Sequence, residues 1–334
     1  MNATAKMVDV QGLTVDFKGP KGPIRAVDGV DLDLRRGETV ALLGESGSGK
    51  SVTLRSLMRL HPSSAKIGGK VEVDGRDVLK MGSRELAGLR GPVVSMIFQD
   101  PGLAFDPVYR IGDQIVEAVR RHEKLSKAEA RKRALELFER VRIPSPDKRL
   151  DNYPHEMSGG MRQRAMIALA LVCRPKVLLA DEPTTALDAT VQIQVLLLLR
   201  ELQRELGLAV VFVTHDIGVA VEVADRIAVM YAGRIVEMGP CRDVIRDPRH
   251  PYTQGLLLSR ASHAPTPGAR LAAIPGAPPD LSDLPPGCAF RPRCGHAIDD
   301  CAEAAPPAAD VGPAHFARCI RTRRAAEAFE SVTA

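Results

Sequence analysis

The spacing of apolar and polar positions near the start of the chain predicts strands. Val8–Phe17 and Ala26–Leu34 carry β-favouring residues in partial alternation, separated by the turn-rich Gly19-Pro20-Lys21-Gly22-Pro23. Thr39–Leu43 is a short apolar strand, and Lys50–Leu60 after it has helical character. From about Asp113 to Val141 the chain is rich in Ala, Glu, Arg and Lys in a helical pattern, which predicts an inserted helical subdomain spanning about 100–165. A helix is expected over Met161–Cys173 and a buried strand over Lys176–Ala180. Ala189–Leu206 is an amphipathic helix with Val191, Val195, Leu198 and Leu202 on its apolar face. Strands follow at Ala209–Val213 and Arg226–Tyr231, the latter joined through Ala232-Gly233 to Arg234–Met238 as a hairpin. Alternating strands and helices predict an α/β core with a largely parallel sheet.

Past Ser259 the pattern stops. Pro265, Pro267, Pro275, Pro278, Pro279, Pro285 and Pro286 would interrupt a helix or a central strand. The expected division is therefore a domain over 1–258 and, over 259–334, a semi-rigid linker with a small cysteine-containing module. No internal repeat is evident.

With 334 residues the chain has room for one large domain and a small one. The net charge of +5, with both signs interspersed, does not suggest nucleic acid as a partner. Met1 to Val10 lacks the apolar core of a secretory signal, and no apolar run approaches the length of about 18 residues that spans a bilayer. Any membrane role is expected to come through a partner.

The chemistry begins at Gly44-Glu45-Ser46-Gly47-Ser48-Gly49-Lys50-Ser51, followed by Val52. This G-x-x-x-x-G-K-[ST] pattern, between a strand and a helix, is a phosphate-binding loop. Its glycines let backbone N–H groups turn toward a polyphosphate, Lys50 can reach the β- and γ-phosphates, and the Ser51 hydroxyl can ligate Mg²⁺. The apolar run Val177-Leu178-Leu179-Ala180 ends in Asp181 and Glu182. Asp181 is placed to hold Mg²⁺ through water, and Glu182 to polarise the water that attacks the γ-phosphate. Gln99, after Val93–Phe98, can touch the metal or that water, and His215, after Val210–Thr214, can donate to γ-phosphate oxygens. Ser158 is a good N-cap for the helix after it, and Gly159 and Gly160 expose N–H groups at its start, where anions are favoured. One monomer cannot easily offer two such distant helix starts to one phosphate. A head-to-tail dimer, Ser158 of one subunit facing the nucleotide on the other, is the economical arrangement.

In their order and spacing these segments resemble the ATP-binding-cassette (ABC) ATPase family. The resemblance rests on the phosphate loop, Gln99, Ser158-Gly159-Gly160-Met161-Arg162-Gln163-Arg164, Asp181-Glu182, Ala186-Leu187-Asp188 and His215, and covers residues 1 to about 258. It implies an ABC-type core with antiparallel β and helical subdomains, binding ATP and Mg²⁺. It also implies Glu182 as catalytic base, His215 as the switch histidine, Asp188 as a dimer contact, and Phe17 as the aromatic that stacks on adenine, with Arg25 the alternative. Two positions depart from the usual pattern: Met157 stands where Leu is common and Met161 where Gln is common. The first keeps side-chain volume and the second is similar to peptide importers.

Phe98-Gln99-Asp100-Pro101, Tyr153-Pro154-His155-Glu156, Met230-Tyr231-Ala232-Gly233-Arg234, His250-Pro251-Tyr252-Thr253 and Gly287-Cys288-Ala289-Phe290-Arg291-Pro292-Arg293-Cys294 resemble the oligopeptide/dipeptide importer branch. That branch implies an ATPase driving peptide uptake at the cytoplasmic face of a bacterial plasma membrane. Its implied partners are two permease subunits, a related second ABC ATPase subunit and an extracytoplasmic peptide-binding protein. Relatives carry nickel or other small solutes, so the solute stays open. Chromosome or DNA-repair ATPases would place a long coiled coil between loop and signature, translation-type proteins would carry two cassettes, and exporters would lack the His-Pro-Tyr and cysteine features.

Of six cysteines, Cys288, Cys294, Cys301 and Cys319 lie together in the tail, whereas Cys173 and Cys241 are isolated. Clustered thiols in a reducing compartment are metal-site candidates, and four thiolates suit zinc or an iron–sulfur cluster. The spacing does not choose between them; the resemblance favours a [4Fe–4S] cluster. His296 and His315 lie nearby.

Overall fold

The computed structural model describes residues 6–20, 22–185, 187–259, 273–322, 325–327 and 329. Ala186 of the Ala-Leu-Asp motif, and Pro265 and Pro267 of the proline-rich segment, lie outside the described residues.

Two sheets organise the chain. The first has four strands in the order Gly22–Arg35, Lys6–Gly19, Lys66–Val73 and Arg76–Asp77, all antiparallel. Its alternation buries Val8, Val10, Leu13, Val15, Val27, Val30, Leu32 and Leu34 on one face. The second sheet has eight strands. Five of them, in the order Arg226–Tyr231, Thr39–Leu43, Ala209–Thr214, Val177–Asp181 and Val94–Ile97, are parallel. Thr39–Leu43, Val177–Asp181 and Ala209–Thr214 are buried at every position, because layers pack on both faces of a parallel sheet.

Arg234–Pro240 returns antiparallel to Arg226–Tyr231 through a turn in which Ala232 (φ 47°) and Gly233 (φ 80°) both take positive φ, as a two-residue hairpin turn demands. The tail does not stand apart. His315–Ala317 pairs with Arg234–Pro240, and Ala309–Gly312 pairs with His315–Ala317, so the cysteine-bearing segment extends the main sheet. The carboxylate of Glu237, wholly buried at this seam, accepts from the backbone N–H groups of Arg249 and His250 and lies 2.8 Å from His315 Nε2.

The long helical stretch is broken. Helices Ile111–His122 and Lys127–Arg140 meet at Ser126, whose hydroxyl accepts from Glu129 N while the Glu129 carboxylate accepts from Ser126 N. This reciprocal cap starts a new helix where periodicity alone would have run on. The helix after the phosphate loop, Lys50–Ser56, is shorter than its pattern predicts and ends in a turn.

Three apolar clusters hold the layers together. One joins the antiparallel sheet to one face of the parallel strands, a second joins the helical subdomain to the other face. The third seats Tyr252, Leu257 and Phe290 of the C-terminal region against Leu43, Ile227, Val229 and Tyr231. Burying a side chain as large as Phe290 stabilises by about 1.5–3 kcal/mol, so this seam is a substantial contact.

Candidate nucleotide-binding site

The site forms where strand ends converge. Thr39–Leu43 runs into the loop Gly44–Gly49, and the helix Lys50–Ser56 starts directly after it. Gly49 is left-handed (φ 101°), and a Cβ there would lie 2.6 Å from the Ala26 carbonyl oxygen, so only glycine fits. A cavity of about 660 Å³ is lined by Glu45 to Val52 together with Ala26, Gln99, Glu182, His215 and Leu281. The predicted loop, the carboxylate and both candidate sensors thus share one wall. A larger cleft of about 1200 Å³ lies at the other end of the parallel strands, lined by Arg36, Lys176 and Gly207 among others, and takes none of the motif residues.

Lys50 curls back into its own loop. Its ammonium donates to the carbonyls of Gly44 (2.7 Å) and Glu45 (2.8 Å) and is almost wholly buried. Burial lowers its pKa, against the opposing pull of Glu182, Asp181 and Glu45. Ser51 Oγ donates to Asp181 Oδ1 at 2.7 Å. Asp181 is buried, which raises its pKa, and its Oδ2 makes no hydrogen bond, with Arg55 Nη2 3.6 Å away. A buried carboxylate oxygen without a hydrogen bond, beside a hydroxyl, is a donor set that suits Mg²⁺.

Glu182 sits at φ 45°, a conformation that costs a non-glycine residue about 1–3 kcal/mol and that turns its carboxylate toward the cavity wall. Glu182 Oε2 accepts from Thr185 Oγ1 (3.0 Å) and, at the limit of hydrogen-bond length, from Gln99 Nε2 (3.5 Å), with His215 Nδ1 at 3.2 Å. Three side chains from separate elements therefore meet on one carboxylate oxygen.

Other predicted residues lie elsewhere. Ser158 caps Gly159–Leu171, its Oγ accepting from Met161 N (3.3 Å), and Asp188 caps Ala189–Leu206, accepting from Val191 N (3.0 Å). Ser158, Gly159, Gly160 and Asp188 do not line the cavity. Nor does Phe17, whose ring stands edge-on to His61, or Arg25, whose guanidinium is bound to Asp16 and Asp28.

Sequence reasoning misses Thr185, Arg55, Leu281, Tyr252 and Arg293 as neighbours of the site. Tyr252 OH accepts from Glu45 N (2.8 Å), and Arg293 grips the Glu45 carboxylate. Both stand in segments noted only as branch features, and no local pattern announces a partner that far along the chain.

Cys288, Cys294, Cys301 and Cys319 all line one small cavity, with His250 and His296 also on its wall. All are free thiols, and burial raises the pKa of Cys288 and Cys294 and pushes Cys319 up to about 11. Among the described residues, no three His, Cys, Asp or Glu side chains form a group that could hold a metal ion as they stand. Neither the predicted [4Fe–4S] cluster nor zinc is thereby supported.

Residues 27–185 match the family model for ABC transporters, and residues 236–301 match that for the C-terminal region of oligopeptide/dipeptide transporters. The dipeptide transport ATP-binding protein DppD of Bacillus subtilis is 47% identical over 326 residues, covering 97% of each chain. The oligopeptide transport ATP-binding protein OppD of Salmonella typhimurium is 47% identical over 315 residues, covering 94% of this chain and 93% of its own. The dimeric post-hydrolysis structure of the ATP-binding cassette MJ0796 bound to ADP and Pi superposes with a TM-score of 0.64 at 31% identity, covering 71% of this chain and 99% of that one. The chain belongs to the ABC transporter family, in its oligopeptide/dipeptide branch.

Proposed function

We propose that this chain is the ATP-hydrolysing subunit of an importer for di- or oligopeptides. The observation that carries the proposal is the pairing of two features in one chain. The phosphate loop and Glu182 line a single cavity, and the chain aligns over nearly its full length with peptide-transport ATP-binding proteins. ATP hydrolysis needs a base beside the water that attacks the γ-phosphate, and Glu182 is the carboxylate on the cavity wall. Thr185 and His215 hold its Oε2, and Gln99 stands at the rim. Ser51 and Asp181, with Gln99, would hold Mg²⁺, which when bound neutralises charge on the transferring phosphoryl group.

One cassette offers half of a catalytic unit. Ser158-Gly159-Gly160 caps a helix away from the cavity, which supports the reading that it completes the nucleotide site of a second, related ABC ATPase subunit. Asp188 would lie at that contact. The two cassettes close on ATP and pull on two permease subunits through the surface near Gln99, where the adjacent Phe98 is exposed. Among the described residues no helix is long and apolar enough to cross a membrane. Peripheral attachment at the cytoplasmic face, with an extracytoplasmic peptide-binding protein delivering the solute, rests on the similarity to peptide-transport ATP-binding proteins. Adenine stacking on Phe17, with Arg25 the alternative, rests on the family resemblance. So does a [4Fe–4S] cluster on Cys288, Cys294, Cys301 and Cys319, which line one small cavity but, among the described residues, do not stand as a metal-holding group.

The test is affinity purification from membranes in mild detergent, followed by mass spectrometry. Recovery of a multispan permease, a sister ATPase and a peptide-binding lipoprotein is the expected result. Recovery of the chain alone, or with nucleic acid, would sink the importer reading.

A further inference from the structure

Glu45, the second residue of the phosphate loop, is held at every polar group. Its N–H donates to Tyr252 OH, its C=O accepts from Lys50 Nζ, and its carboxylate takes a two-pronged grip from Arg293 (Nη1 to Oε2 2.6 Å, Nη2 to Oε1 2.9 Å). Arg293 comes from 248 positions further on and immediately precedes Cys294 in the C-terminal segment. Its side chain is 5% exposed. Its Nε donates to Pro275 O (2.9 Å), Nη1 also points at Tyr231 OH (3.4 Å), and its guanidinium lies over the rings of Tyr231 and Phe290. Those rings pack with Tyr252 at centroid distances of 4.6–5.4 Å, so the arginine is clamped before it meets Glu45.

A glutamate at this place is an electrostatic problem. The loop must receive a polyanion, and a second anion on the cavity wall repels it unless it is neutralised locally. We infer that Arg293 is a positioning residue of the nucleotide site, fixing the head of the phosphate loop and cancelling the Glu45 charge where the phosphates must sit. The C-terminal segment is then part of the nucleotide site rather than an appendage to it. Leu281, from the same segment, lines the cavity directly. The inference rests on the reading of that cavity as the ATP site.

The experiment titrates a fluorescent ATP analogue into the full-length wild type, Arg293→Ala, Glu45→Gln and the double variant, with circular dichroism to verify folding. Binding by wild type that Lys50→Ala removes establishes the cavity independently of Arg293, and its absence overturns both readings. Given that binding, Arg293→Ala is expected to weaken affinity about tenfold, because it leaves an unpaired carboxylate facing the phosphates. Adding Glu45→Gln removes that carboxylate and should restore most of the loss, and Arg293→Lys should lose less than Arg293→Ala. The recovery distinguishes a charge-cancelling arginine from a merely structural one. Wild-type affinity in Arg293→Ala, or a double variant no tighter than Arg293→Ala, overturns the inference. Should Arg293→Ala not fold, Arg293→Met, which keeps the buried stem, takes its place in the same cycle.

Discussion

Lys50 illustrates how much one side chain carries here. Its ammonium is buried against two carbonyls of its own loop, which gives the loop internal order before any phosphate arrives. Replacing it with alanine removes two charge-assisted hydrogen bonds and the cation meant for the phosphates. Lys50→Ala should therefore weaken nucleotide affinity by at least about a hundredfold, on the scale of two charge-assisted hydrogen bonds from the ammonium to phosphate oxygens at about 1.5–3 kcal/mol each, and unaltered affinity would contradict the phosphate-loop assignment. Glu182 makes the complementary case. Glu182→Gln keeps the shape that Thr185 and His215 pack against but removes the base. Turnover should fall by about 10²–10⁴-fold with nucleotide binding intact, measured as phosphate release, and robust hydrolysis by the variant would remove Glu182 from that role. Both residues are legible in sequence because their neighbours in the chain define them. Thr185 is not, because a threonine three residues on from a glutamate has no distinguishing pattern.

At the scale of elements, patterning succeeds where burial is regular and fails where caps or bulges decide. The strands Thr39–Leu43 and Ala209–Thr214 are apolar throughout and legible in sequence. Lys66–Val73 is not, because Lys66, Gly68, Gly69 and Lys70 obscure its alternation. Gly69 (φ 88°) sits where a Cβ would meet the Gly12 carbonyl at 2.4 Å, beside a register shift in the pairing strand. A strand built around such a contact is recognisable only with its partner present. A cap with a consequence for stability stands at His250, whose Nδ1 accepts from Tyr252 N at the start of Pro251–Leu258. Full burial pushes the His250 pKa down to about 3, with Glu237 receiving its backbone N–H. The unfolded chain, with a histidine near 6.5, then takes a proton that the folded chain refuses. Stability from this residue is complete above pH 6.5 and is lost by about 1.4 kcal/mol per unit as pH falls below it. Denaturant unfolding at about pH 7, 6 and 5 should show that slope in wild type and a shallower one in His250→Asn, which keeps an acceptor at the cap. Equal slopes would remove His250 as the source.

At the scale of the whole molecule, the tail is built into the core. Two added strands, the buried Glu237–His315 contact and the Tyr231–Tyr252–Phe290 cluster bind it to the sheet that carries the phosphate loop. The composition changes sharply at Ser259, yet the described residues from 273 onward pack against the main sheet and its apolar cluster. Proline-rich chain can lie along a surface and still deliver well-packed groups at its far end, because proline restricts local conformation without preventing side-chain burial. From this segment Leu281 lines the nucleotide cavity and Arg293 grips Glu45.

The sequence by itself determined whatever depends on neighbours in the chain. The phosphate loop between strand and helix, the paired carboxylates at the end of Val177–Asp181, the Ala232-Gly233 hairpin and the membership of an ATPase class were all written locally. Only the tertiary structure decided which groups touch: Thr185 and His215 on Glu182 Oε2, four thiols about one small cavity, and Arg293 on Glu45. The physical reason is that charge pairing and close packing act through space. Their partners are set by how the layers stack, and stacking leaves no periodic trace along the chain.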